Sequence, residues 1–308
     1  MSIVVVTSEE QGAGKTGVAA AIARHIGYEG RPVRLLRVEG PRRLTFQSSV
    51  GHKAPAINLE VGPVGNAELD AKYFGSLSFA PGSPSAPVKA ASVENPKVGT
   101  YVVEVEMEAS MLVDASTIIL VARPGVPAKL PEEMSVQAVV VVAPEGDVPA
   151  SIDGVPVVPL PADRTLAGFS VSEARSLLDA EVLVEGDLGD PTCDHLVIAP
   201  ISSDAGQPYL NRFESKTVVC RFDKTDAHLA ALRSEVNCLI LTGGGRPSDY
   251  LFDAASSRGV PVLLSSTDTE NTVMVLEDVF TATRFQGERK LARMAELLES
   301  SPVLEVLG

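Results

Sequence analysis

The 308-residue chain reads as an α/β protein, a parallel sheet with helices on both faces followed by a second, smaller α/β domain. Three observations predict this. Apolar runs of strand length alternate with helical segments along both halves of the chain, the pattern of repeated β-α-β units. The first unit carries an unusual loop, TSEEQGAGKTG at 7–17, between the apolar run 3–6 and an alanine-rich stretch at 18–26. The alternation then restarts after the acidic segment EGDLGDP at 185–191, which puts a boundary near residue 189 and predicts domains 1–188 and 189–308.

The first loop leads a buried strand straight into a helix. Gly12 and Gly14 let the backbone approach a phosphate closely, and the amides of a turn that opens a helix aim their positive ends at it. Lys15 is placed to reach terminal phosphates and Thr16 to offer a hydroxyl to magnesium, with Glu10, Ala13 and Gly17 completing the candidate cradle. The pattern G-x-x-x-x-G-K-[ST] departs at one position, where Glu9 stands for the first glycine. A glycine-rich turn with a solvent-exposed lysine also fits the glycines. It gives no reason for Lys15 and Thr16 to follow them directly.

The helix ends near Gly27 and a strand at 33–38 follows, with Arg37 at its carboxyl end, the edge where α/β sheets bind ligands. Arg37 reads equally as a phosphate contact or as a solvated residue. Between 40 and 100 the pattern weakens to a short helix at 66–74 and a proline-, glycine- and serine-rich stretch at 79–87, which reads as a loop over the site or a disordered crossing. The strand YVVEVE at 101–106 then brings Glu104, either a second magnesium contact or part of the charged face of an edge strand. Strands at 117–121, 137–143 and 155–158 and a helix at 172–180 complete this part.

Composition narrows the function. With 26 Lys and Arg against 40 Asp and Glu the formal net charge is −14, a surface that repels nucleic-acid backbone and anionic lipid, so neither is an expected partner. No apolar run approaches the roughly 20 residues of a spanning helix, and the opening residues read as a strand and not a signal peptide. Cys193, Cys220 and Cys238 lack CxxC spacing and the four histidines form no cluster, which argues for buried thiols in a reducing cytoplasm and against a protein-built transition-metal site.

In the second part, strands are expected at 195–199, 217–220, 236–241 and 260–264, with helices at 227–234, 249–258, 270–279 and 287–298. Three polar loops fall at successive strand ends: Asp223, Lys224 and Asp226 after the second, Thr242, Gly243 and Gly244 after the third, and Thr267 after the fourth. Together they would line one crevice for a second ligand. Separately, Asp226 and Asp268 read as helix N-caps and the glycines as a tight turn.

These residues carry a resemblance. The stretch at 8–16, with Glu10 at an acidic position, is similar to the variant loop of the dethiobiotin-synthetase-like branch of the P-loop ATPases. The second part resembles the DRTGG domain, with 223–226, DKTD, at its D-R-x-D segment and 241–244, LTGG, at its T-G-G. The order of the two is that of the amino-terminal region of long phosphate acetyltransferases, without the acetyltransferase domain. The resemblance implies ATP and magnesium, with Lys15 and Arg37 as phosphate contacts of catalytic type and Thr16 and Glu104 as metal ligands. It also implies dimerisation through the second domain and a setting in acetyl-phosphate and CoA-linked metabolism, with an acetyltransferase as partner. Two departures weigh against dethiobiotin synthesis: Arg37 stands for a lysine, and Glu104-Val105-Glu106-Met107 lacks the substrate-side glycines.

Two functions fit. One is a regulatory protein that binds ATP and a small anionic metabolite. The other is an ATP-dependent ligase that activates a carboxylate through an acyl phosphate, with Lys15, Arg37 and magnesium neutralising the moving phosphoryl group.

Overall fold

The computed structural model describes residues 2–10, 12–31, 33–38, 100–105, 117–132, 134–186, 191–199, 208–299 and 301–307. The expected helix at 66–74, the loop at 79–87, Glu106 and Met107 lie outside the described residues. The chain divides into two compact units, Met1–Asp163 with Phe285–Gly308, and Arg164–Arg284.

In the first unit β1 (Ser2–Thr7), β2 (Val33–Val38), β3 (Thr100–Val105), β4 (Thr117–Ala122), β5 (Ala138–Val142), β6 (Ser151–Ile152) and β7 (Val155–Leu160) form a sheet in the order β2-β3-β1-β4-β5-β7-β6. Neighbours pair in parallel except β6, which folds back on β7. Asp153 and Gly154, at φ 51° and 83°, make that two-residue turn, the Asp-Gly combination that tolerates two positive φ angles. The central strands are β-branched runs buried on both sides, as parallel strands require. On one face Ile3, Val5, Val103, Leu120, Val139 and Val157 form a cluster covered by Val126, Leu130 and Val148. The helix α1 (Lys15–Tyr28) packs on β1, β2 and β3. Its alanine-rich sequence favours helix and lets the backbone come close to the sheet.

The second unit holds, in chain order, α2 (Arg164–Ala167), β8 (Phe169–Ser170), α3 (Val171–Leu178), β9 (Glu181–Val184), β10 (Thr192–Cys193), β11 (His195–Ile198), β12 (Lys216–Arg221), α4 (Thr225–Arg233), β13 (Val236–Thr242), α5 (Asp249–Ser256), β14 (Val262–Leu264) and α6 (Thr269–Ala282). Its five-stranded sheet runs β11-β12-β13-β14-β9, parallel except for β9, and β8 pairs with β10. Alternation along β12 and β13 feeds two cores. Val218, Leu239 and Leu241 meet Ala231 of α4 and Leu251 and Ala255 of α5. Val219, Cys238 and Ile240 meet Ala174 of α3 and Leu276 and Val279 of α6. Helices therefore cover both faces of this sheet. A capping box starts α3: Ser170 Oγ accepts from the Glu173 amide at 3.2 Å while Glu173 Oε2 accepts from the Ser170 amide at 2.8 Å.

Two placements differ from the sequence expectation. The second unit begins at Arg164, so α3, expected at 172–180 to complete the first part, and β9, antiparallel to β14, both lie in it, whereas the sequence puts a boundary near residue 189. The last helices, α7 (Glu288–Glu299) and α8 (Pro302–Glu305), return to the first unit. The stripe Leu291, Met294 and Leu298 of α7 is buried, and α7 packs on α1, with Arg24 of α1 paired to Glu288. All three cysteines are buried and in no disulfide among the described residues, and burial pushes the Cys220 thiol up to about 12, which leaves it inert. No helix among the described residues is long and apolar enough to cross a membrane.

Candidate functional site

The strand β1 ends at Thr7 and α1 begins at Lys15, so the loop at 8–14 joins a sheet edge to a helix N-terminus. Gly12 and Gly14 take φ of 77° and 104°, a region open to glycine and strained for other residues. Gly14 is also crowded, since a Cβ there would lie 3.3 Å from Val142 Cγ2. Ala13 is buried, and Glu9, in place of the first glycine, is exposed together with Glu10. Lys15 is only 9% exposed and, among the described residues, has no ion pair. Its Nζ donates to Ser8 Oγ at 2.8 Å, and the Ser8 hydroxyl donates to the Glu10 carbonyl at 2.6 Å. Gly17 faces Phe285 and Met294, where a Cβ would fall 2.8 Å from Met294 Cε, so its lack of a side chain serves helix packing.

Thr16 Oγ1 donates to Glu104 Oε1 at 2.7 Å. The two residues are 88 positions apart, and the topology brings them together: β3 lies next to β1, with Val6 in register with Glu104. The alternative placing of Glu104 on a charged edge strand does not hold, because β3 has β2 on its other side and Glu104 is 3% exposed. Arg37 is the β2 partner of Glu104 in register, while its side chain lies outside the described residues. A hydroxyl and a carboxylate in contact are hard oxygen donors, the set that magnesium prefers. The residues present thus fit that ion.

A pocket of about 320 Å³ opens beside this loop, lined by Glu9 and Glu10 on one side and by Leu120, Ala122, Arg123 and Gly125 on the other. Its place follows from strand order. The chain leaves β1 toward β2 on one side and crosses from β3 to β4 on the other, so a crevice forms at the carboxyl ends of β1 and β4. No sequence pattern pointed to Arg123, because the signal lies in topology.

In the second unit hydrogen bonds join the loops after β13 and β14, and the loop after β12 reaches them through Phe222, whose amide donates to the Thr242 carbonyl at 3.1 Å. The Gly243 amide donates to the Thr267 carbonyl at 2.7 Å and the Gly244 amide to the Ser265 carbonyl at 3.1 Å. Thr242 and Thr269 hydroxyls are 2.8 Å apart, and Thr267 Oγ1 lies 2.7 Å from Thr272 Oγ1. The Gly243 and Gly244 amides are thus engaged in joining β13 to the loop after β14, and the Thr242 and Thr267 hydroxyls bond to α6. A Cβ on Gly245 would fall 2.4 Å from the Phe222 ring, which packs on this turn. Asp268 caps α6, accepting from the Asn271 amide at 2.9 Å, and Asp226 sits in the first turn of α4, whose N-cap is Lys224. Asp223, Lys224 and Asp226 remain exposed, and hydrogen bonds from the Arg221 guanidinium hold Asp223 below the usual carboxylate range.

Beneath this loop His228 is fully buried, its Nε2 donating to the Arg221 carbonyl at 2.7 Å and its Nδ1 without a partner among the described residues. Burial pushes the imidazole below the ordinary histidine range, against the opposing pull of that carbonyl and of Asp223. The folded protein keeps this ring neutral where the unfolded chain has begun to protonate it. The stability it supports is complete above about pH 6.5 and is lost as the pH falls below that value. Denaturant unfolding at pH 7.5 and 5.5 should show a loss on acidification that is smaller in His228→Gln; equal losses would exclude this histidine as a source.

Residues 174–279 match the model of the DRTGG domain. The match includes the loops with Asp223 and Thr242 and stops before α7. Among solved structures, similarity is found to the crystal structure of the CBS and DRTGG domains of the regulatory region of Clostridium perfringens pyrophosphatase, complexed with its activator diadenosine tetraphosphate. The TM-score is 0.32, with 17% identity over 40% of this chain, which spans about half, 49%, of that one.

Proposed function

We propose that the first unit binds ATP with magnesium and that the protein is regulatory, its DRTGG unit responding to a second small anionic metabolite. One observation carries the nucleotide reading: at the mouth of α1 a buried Lys15 ammonium has no carboxylate partner among the described residues, next to a Thr16 hydroxyl already held by Glu104. A buried cation without a counter-charge costs free energy, and a polyphosphate supplies the charge. Thr16 and Glu104 would hold magnesium, which when bound neutralises phosphate charge. The resemblance to dethiobiotin-synthetase-like P-loop domains supports this reading. The order of the two domains supports a homodimer in the cytoplasm, linked to acetyl-phosphate or CoA metabolism and to an acetyltransferase partner.

Calorimetric titration tests the proposal. ATP should bind, more tightly with magnesium, and with little turnover. Glu104→Ala should weaken binding about tenfold in magnesium, the loss of a charged hydrogen-bonding partner, and leave affinity in EDTA unchanged. Equal losses in both conditions would remove Glu104 from the metal site.

The pocket beside Arg123 favours a second reading, an ATP-dependent ligase that seats a carboxylate substrate next to the phosphate loop. Steady phosphate release stimulated by one carboxylate compound would select it over the regulatory one.

A further inference from the structure

We infer that Ser8 is a positioning residue for nucleotide binding: its buried hydroxyl anchors the Lys15 ammonium inside the loop, so that the cation is in place before a polyphosphate arrives. The inference rests on the nucleotide reading above and deepens it. Ser8 is 3% exposed and lies at the start of the loop, seven positions before the lysine it touches.

A hydroxyl has one proton to give and two lone pairs to offer, and a lysine ammonium has three protons and no lone pair. The Ser8 proton is spent on the Glu10 carbonyl at 2.6 Å, so its oxygen faces Lys15 only as an acceptor, at 2.8 Å. The relay therefore has one direction, from ammonium to hydroxyl to carbonyl. It ties both ends of the loop together and adds no negative charge beside the lysine.

The alternative to an anchor is a four-carbon stem free to sample many rotamers, which must be ordered when a ligand binds. Ser8 meets that cost during folding. Unlike a carboxylate at the same place, it does not compete for the charge that the phosphate needs.

The test compares the full chain with Ser8→Ala, Ser8→Gly and Ser8→Thr in titrations with MgATP, alongside ligand-free melting temperatures. Affinity should sort with the hydroxyl. Ser8→Ala and Ser8→Gly should bind about tenfold more weakly, the scale of one hydrogen bond to a charged group. Ser8→Thr should bind within about twofold of the unaltered chain, which a purely structural role would not require. A folded Ala or Gly variant that binds as the unaltered chain or more tightly overturns the inference, as does a Thr variant as weak as Ala. Two controls separate the levels: if the unaltered chain does not bind MgATP, the nucleotide reading fails and takes this one with it, and if Lys15→Met binds normally, the ammonium does not touch the ligand and the role of Ser8 falls. If Lys15→Met alone loses binding, only the role of Ser8 is refuted.

Discussion

Lys15→Met is expected to raise the Kd for MgATP by at least about 100-fold, the scale for truncating one member of a buried charge pair, without lowering the ligand-free melting temperature. Both halves of that result follow from the burial of Lys15, whose Nζ has a hydroxyl for a neighbour and no carboxylate among the described residues. In the free protein the charge carries a desolvation cost with little Coulombic return, and methionine matches its length without the charge. In the proposed complex the same charge would face phosphate oxygens. Calorimetry gives the affinity and a thermal melt gives the stability. A variant that binds normally would show that the ammonium does not touch the ligand. One that melts far lower would show that Lys15 serves the fold first.

The largest expected loss of stability comes from Gly186→Ala, in a segment that reads from sequence as an acidic linker. Gly186 has φ of 74°, and a Cβ there would fall 2.6 Å from the Pro261 nitrogen and 2.7 Å from the Gly259 carbonyl oxygen. Both are backbone atoms held by the turn before β14, which cannot rotate aside. Left-handed strain of about 1 kcal/mol and a backbone clash of 1–3 kcal/mol together cost about 3 kcal/mol, a fall in melting temperature of about 10 °C for a unit of this size. Gly146 is the control, since its φ is 90° but nothing lies within 4 Å of its Cβ position. Gly146→Ala should cost about 1 kcal/mol from the strain alone. Equal losses at the two positions would mean that crowding by Pro261 plays no part.

Legibility followed the range of the interaction. The strand Val33–Val38, the β-α entry at 7–17 and the alternation of the second unit were readable because each depends on residues close in sequence. The hairpin β6-β7 was missed although Asp153-Gly154 signals it, because two-residue strands give almost no periodicity. The T-G-G segment was legible as a glycine turn beside a crevice, but its amides are donated to carbonyls of the next loop, which no pattern within one segment records.

What the sequence determined by itself is the main strands and longer helices and the chemistry offered at one loop: two α/β units, and Gly14, Lys15 and Thr16 at a helix start. Strand periodicity and the φ preference of glycine are local properties, so they can be read without partners. The tertiary structure alone decided that Glu104 meets Thr16, that Lys15 rests on Ser8, that β9 turns antiparallel onto β14, and that α7 returns to α1. Each of these is a contact in which burial selects a partner from a distant part of the chain, and that selection depends on how whole faces pack together.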